Sequence, residues 1–266
     1  MNKSRKEELL EEEILKNLSG KPLQITEYLL NDKETRAFQE YANVVSIKRL
    51  GYNDHGPVHM RKAALNSILM VTLLTKAGVR FDLEKEMGYS HTDSLAAIIM
   101  AALLHDIGMG VSRKDHEFHS AVLASPIIAR ALSLFYDDPL VKAALHALAL
   151  EGITGHMATH PVTSLEAGVV LIADGCDMER GRARITTMLS KQPKVGDIHR
   201  YSATAINHVE ICQGDEKPIR ISVEMESTTG FFQVEEVLYP KISNSPVKKY
   251  IELFANKRGE SPLRYL

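Results

Sequence analysis

The residues from Leu95 to Leu104, LAAIIMAALL, carry no polar side chain. A helix of that composition has no face to turn toward water, so the run predicts a central helix enclosed by other helices on every side. It falls well short of the ~20 residues needed to span a bilayer. The run ends in His105-Asp106, with Gly108 just beyond as a helix stop. An imidazole and a carboxylate at the end of so apolar a helix must be compensated, because burying either without a partner is strongly unfavourable. Two compensations are open: a buried hydrogen-bonded pair, or a divalent cation, for which both groups are natural ligands.

Around that helix the chain reads as mostly helical. Leu9, Leu10, Ile14, Leu15 and Leu18 form a narrow apolar stripe on an opening helix that docks on the main body or on a second subunit. After the Ser19-Gly20-Lys21-Pro22 break, a second helical stretch runs to about Leu50. Pro57 suits the first position of a helix running to Gly78. The capping-box spacing of Ser112-Arg-Lys-Asp115 predicts a helix over 113–124, broken at Ser125-Pro126 before a further helix to Tyr136. Asp138-Pro139 opens another, ending near Gly152, with a loop over 152–161. Thr163-Ser-Leu-Glu166 then caps a second strongly apolar helix, which bears Asp174.

Beyond about residue 200 the period changes from helical to alternating. Ile219, Ile221, Val223 and Met225 alternate with polar residues as in a half-buried strand, preceded by a shorter one at Val209 and Ile211. A short helix at 231–238 and a third strand at 249–255 complete a small α+β unit. The expected class is therefore mainly α, a helical bundle over residues 1–200 with a C-terminal α+β appendage over 201–266.

With 44% hydrophobic and 25% charged residues the chain can build a proper core. A net charge of -2 provides no global basic field for nucleic acid or an anionic membrane. Cys176 and Cys212 are too few for a disulfide scaffold and have no zinc-finger spacing. The N-terminus has no apolar leader. These features place the expected protein in the cytoplasm, off the membrane. No GxSxG elbow, P-loop or GxGxxG run supports a serine hydrolase, an NTPase or a dehydrogenase.

Histidine is abundant, with eleven in the chain. His59 lies in the first turn of the Pro57 helix, and Asp174 on the second apolar helix. The order DHGPVHMRKAALNSI, AALLHDIGMG, VVLIADGCDMERGR resembles the HD superfamily of metal-dependent phosphohydrolases, over roughly residues 50–180. The resemblance implies that His59, His105, Asp106 and Asp174 hold a divalent metal (Mn, Fe, Co, Mg, Ni or Zn). Some members hold a second ion through two more histidines. His116, with His119 behind it, and His146 are the candidates for those, whereas His156 and His160 read as loop residues without a ligand role. Many relatives carry a lysine three residues after the Asp, where this chain has Met109. Arg113, Lys114 or Arg61 must then supply the cation, with Arg180, Arg182 and Arg184 as a second group. Asp177 shares a helix face with Asp174, as a supporting acid or a solvated one. The Gly-Tyr-Pro signature of the cyclic-dinucleotide branch is missing.

The expected activity is hydrolysis of a phosphomonoester or phosphodiester, on a nucleotide or related small phosphate, by metal-activated water. Two other readings stand beside it: a di-iron oxygenase using the same cage, and a non-catalytic nucleotide sensor. A homodimer is compatible with the opening helix and exposed strand edges.

Overall fold

The computed structural model describes residues 3–182 and 198–266. A helical bundle is built from α1 (Arg5–Lys16), α2 (Gly20–Asn31), α3 (Lys33–Val44), α4 (Pro57–Lys76), α5 (Asp82–Met87), α6 (His91–Leu104), α7 (His116–Phe135), α8 (Pro139–Gly155) and α9 (Leu165–Gly175). The apolar helix α6 lies at its centre. Every residue from Ala96 to Leu104 is buried, against α2, α4, α8 and α9. By length and composition His91–Gly110 and His116–Phe135 would each suffice to cross a membrane, but 83% of the most apolar window of the first is buried, as a bundle's core helix is.

The C-terminal unit begins with α10 (Ile198–Ala205), followed by strands β1 (Ile206–Gln213), β2 (Ile219–Met225), β3 (Ile251–Lys257) and β4 (Leu263–Arg264). They form one sheet in the order β1-β2-β3-β4, with β1 and β4 antiparallel to their neighbours and β2 parallel to β3. A parallel pair needs a crossover. The connection here is mostly helical and includes α11 (Tyr239–Ser243), which packs on α9. Ile219, Ile221, Val223 and Met225 all point into the core, as their alternation predicts. One continuous apolar cluster runs from Ile14 in α1 to Ala255 in β3, so the sheet shares the core of the bundle.

Several boundaries differ from those expected, each for a local reason. The second helical stretch breaks at Asp32, whose carboxylate accepts from the backbone N–H of Thr35 at 2.8 Å and caps α3. Helix α7 begins at His116, because Asp115 adopts a left-handed φ of 58° and Ser112 does not cap it. Pro126 does not break α7. The carbonyl it deprives of a partner belongs to Val122, on the helix face turned to water. Ser164, not Thr163, caps α9, and Glu166 turns away to accept from the backbone of Leu83 and the hydroxyl of Ser94. A short fourth strand, β4, joins the expected three.

The opening helix docks through charge as much as through its apolar stripe. Ile14 is buried, but Leu9 is exposed, and Glu11 reaches inward to the guanidinium of Arg61 at 2.8 Å. Arg61 also donates to Gln39 and to the carbonyl of Pro57, both at 3.0 Å. All of this lies inside the bundle, so the cation of Arg61 ties α1, α3 and α4 together and is not free for a substrate. Removing one member of a buried ion pair strands the other. Arg61→Met should therefore cost about 3 kcal/mol in urea denaturation while leaving the bound-metal content unchanged. Equal stability of the two proteins would contradict this role.

Candidate metal centre

Five helix ends meet below the centre of the bundle. His59 comes from the first turn of α4, His105 and Asp106 follow α6, His116 opens α7, His156 closes α8, and Asp174 lies in the last turn of α9. His59, His105, His116 and His156 are at most 1% exposed, and Asp106 and Asp174 at most 5%. Nε2 of His59 lies 3.0 Å from Asp174 Oδ1, 3.2 Å from Asp106 Oδ2 and 3.1 Å from His105 Nε2. His105 Nε2 stands 3.4 Å from Asp106 Oδ2 and 3.6 Å from Asp174 Oδ1. On the other side of the same carboxylate, Asp106 Oδ1 lies 3.1 Å from His116 Nε2 and 3.4 Å from His156 Nε2, which are 3.1 Å apart. Ligand atoms about 2.0–2.2 Å from one ion stand roughly 3.0–3.5 Å from each other, so both sets have the spacing of a coordination shell.

Tautomers make the case independently of distance. Nδ1 of His105 faces the carbonyl of Ala102 at 2.9 Å, Nδ1 of His156 that of Ile153 at 2.7 Å, and Nδ1 of His116 that of Arg113 at 3.0 Å. His59 Nδ1 faces Asp177 Oδ2 at 2.7 Å. In the neutral ring each of these contacts draws the proton to Nδ1 and leaves Nε2 as a lone pair aimed inward; at His116 the Arg113 guanidinium also stands 3.0 Å from Nδ1. Four lone pairs then converge on two carboxylates. Asp106 Oδ2, fully buried, has no hydrogen-bond donor among the described residues. Such an arrangement calls for positive charge at its middle, and a divalent ion fits it. The mixed imidazole and carboxylate donors fit a first-row transition metal.

Protons feel the same field. Burial and the nearby Arg182 favour a neutral His59, but the carboxylates of Asp106, Asp174 and Asp177 outweigh them and hold its pKa well above the ordinary imidazole value. Burial opposes the charge on His105 too, and Asp106 raises its pKa in spite of it. For Asp106 burial disfavours ionisation, yet His105 and His55 hold the carboxyl well below the usual range. Asp174 is also held low against burial, with Lys241 the strongest influence. His156, by contrast, is pushed down to about 4, chiefly by burial.

The structure brings His59, His105, Asp106, His116 and Asp174 together and corrects the sixth position. His146 lies on α8 away from the cluster, half-buried, with Nε2 at 3.0 Å from the hydroxyl of Ser125. His156 stands where His146 was expected. Gly152 and Gly155 suggest a loop, but α8 continues through both, because a Cβ at Gly152 would lie 2.9 Å from that of Ala101, at a close crossing of α6 and α8. That extra helical turn delivers His156 to the centre. His119 is half-buried and His160 exposed, both outside the cluster.

The centre opens into a cavity of about 720 Å³. Arg113 and Arg182 line it, whereas Lys114 is exposed and does not. Met109 is buried in the core. Arg182 donates to the carbonyls of Asp54 and Asp177, and its Nη2 stands 3.1 Å from His59 Nε2. Arg180 is exposed, and Arg184 lies outside the described residues. One lining cation, Lys241 of α11, was not among the sequence candidates. Its signal was there: Lys241 continues the buried stripe of Val234 and Leu238 at helical spacing, an unusual place for a lysine.

Comparison with known proteins agrees with this arrangement. The HD domain family matches residues 66–179, a span that contains all of these donors except His59. The uncharacterized protein MJ1020 of Methanocaldococcus jannaschii is 39% identical over 257 residues, covering 94% of this chain and 95% of that protein. No solved structure matches.

Two outcomes follow for metal uptake. His156→Ala should lower the ions bound per chain in elemental analysis, and His146→Ala should not; the opposite pattern would restore the sequence-based assignment. Because His59 and His105 have raised pKa values, protons occupy the donors at low pH and must leave when an ion enters. Apparent affinity in chelator competition should therefore rise from about pH 6 to about pH 8, by up to tenfold per unit for each proton displaced. A flat profile would contradict it.

Proposed function

We propose that this chain, which carries an HD domain over residues 66–179 and resembles the metal-dependent phosphohydrolases of the HD superfamily, hydrolyses the phosphate ester of a small molecule, a nucleotide or a related small phosphate. The observation that carries this reading is Asp106, whose two oxygens face two separate pairs of histidines. A carboxylate placed in that way would serve both halves of a two-metal centre. His59, His105 and Asp174 complete one half of the centre, and His116 and His156 the other. Four imidazoles favour Mn, Fe, Co, Ni or Zn over Mg, which prefers an oxygen shell.

Two divalent ions in this donor set supply a water of lowered pKa and polarise a phosphoryl oxygen. The chain's own residues do the rest. Their anchored Nδ1 atoms hold the histidines at fixed angles, so little reorganisation is needed when substrate binds. Arg113 and Arg182 place positive charge on the cavity wall, where the oxygens of a transferring phosphoryl group gather negative charge. The cavity falls within the range of about 300–1,000 Å³ typical of small-molecule sites, which supports a substrate of nucleotide size. Two free cysteines, Cys176 and Cys212, suit a reducing cytoplasm.

The six donors also suit a di-iron oxygenase, the one competing reading that the geometry favours. Purified protein loaded in turn with Mn, Fe, Co, Ni, Zn and Mg should release phosphate from at least one member of a panel of nucleotides and sugar phosphates. Asp106→Ala should lower that release at least about 10³-fold. Release that survives the substitution, or wild-type protein inert with every metal and ester, would overturn the proposal. A mixed-valence iron signal with oxygen uptake would then point to the oxygenase.

A further inference from the structure

We propose that Lys241, carried into the metal centre by the C-terminal α+β unit, binds a phosphate oxygen of the substrate, beside the Arg113 and Arg182 that share the cavity wall. The inference rests on the phosphohydrolase reading and adds a donor that comes from outside the residues matched by the HD family.

Lys241 sits on α11 with its side chain 9% exposed, and it lines the cavity beside Asp106, His116, His156 and Asp174. Its ammonium donates to Asp174 Oδ2 and, at 2.8 Å, to the backbone carbonyl of His156. An ammonium has three N–H donors. Two are thus engaged at the rim of the metal centre, one on each half. The third meets no acceptor among the described residues, and the group borders the open cavity.

The approach of the lysine is built into the backbone. A Cβ at Gly175, the last residue of α9, would lie 2.9 Å from Lys241 Cδ and 3.3 Å from Leu238 Cδ1. Only glycine lets the lysine stem pass there without displacing it. Helix α9 therefore supplies both Asp174, which the ammonium grips, and the gap through which the stem reaches it.

Charge explains why the lysine seeks an anion. Asp106, Asp174 and Asp177 bring three negative charges to the centre, and Lys241, Arg113 and Arg182 bring three positive ones. The balance is close to neutral for an empty centre, and one divalent ion turns it positive. Asp174 then faces His59, His105 and the ion with Oδ1 and no longer needs Lys241 for neutralisation alone. A buried cation with a spare donor, at the mouth of a positively charged centre, is suited to an oxyanion. Arg61 is held inside the bundle and Lys114 does not line the cavity, so neither competes for this role.

The test uses full-length protein loaded with Mn and inorganic phosphate as the probe, with affinity measured by calorimetry and Mn per chain by elemental analysis. Lys241→Met should weaken phosphate binding at least about tenfold, as expected for loss of one charge-assisted hydrogen bond, with Mn content unchanged. Gly175→Ala keeps the ammonium and displaces only its stem. It should weaken binding in the same direction, and it supplies the same test should Lys241→Met fail to fold. Unchanged phosphate affinity in the variants overturns the proposal. So does loss of Mn from Lys241→Met, which would make Lys241 an orienting group for Asp174, and so does a Mn-loaded wild type that binds no phosphate. Ester turnover is measured in parallel. Phosphate binding through Lys241 without turnover of any ester defeats the hydrolase reading alone, and turnover with Lys241→Met affinity unchanged defeats this inference alone.

Discussion

Imidazole lone pairs aimed at two carboxylates inside a dry bundle are the constraint from which the rest follows. Nε2 of His59 and Nε2 of His105 stand 3.1 Å apart, as do those of His116 and His156, with the Asp106 carboxylate between the pairs. Two lone pairs cannot face each other in this way, so each contact calls for positive charge, a proton or a metal ion, and the raised pKa values of His59 and His105 express that demand. The fold must therefore hold the donors together against their own repulsion until a cation arrives. Its means of doing so is the enclosed helix α6, whose burial is complete where the donors begin.

Precision comes from a local device used three times. His105, His116 and His156 each direct Nδ1 at the carbonyl three residues earlier, those of Ala102, Arg113 and Ile153. For His105 and His156 that carbonyl lies in the last turn of a helix and lacks its full set of partners, so the ring satisfies it and is oriented by it in the same contact; for His116 it lies in the turn that leads into α7. His59 is the exception. Its Nδ1 meets a side chain instead, and it takes its orientation from Asp177, which follows α9. Three rings are thus set by their own neighbours in sequence, and the fourth depends on the packing of α4 against α9.

Charged residues in the bundle are divided between framework and site by which way each helix faces. Arg61, two residues after His59, turns away from the centre to Glu11 and Gln39 and fastens α1 to the body. Lys241, far along the chain, turns inward to Asp174. The crossover between β2 and β3 decides this. It lays α11 along α9, so a sheet with no donors of its own contributes to the wall of the cavity.

Sequence alone determined the elements and the family resemblance. An apolar run that ends in His-Asp requires an enclosed helix and a compensated terminus, Pro57 fixes the start of the helix bearing His59, and strict alternation fixes β2; all are local or periodic signals. His105 and Asp106 were conspicuous as polar groups at the end of an apolar helix, whereas His59, Asp174 and His116 were marked by the resemblance to the HD superfamily. What only the tertiary structure decided was which of the remaining histidines and cations face the centre. His146 and His156 lie on the same helix, and the choice between them depends on whether α8 continues through two glycines, which the close crossing with α6 settles. Lys241 owes its place to the docking of α11 on α9, and Arg61 its exclusion to the docking of α1 on α4. Those are contacts between distant segments, and a one-dimensional pattern carries the direction of a side chain only relative to its own helix, not to the helices packed around it.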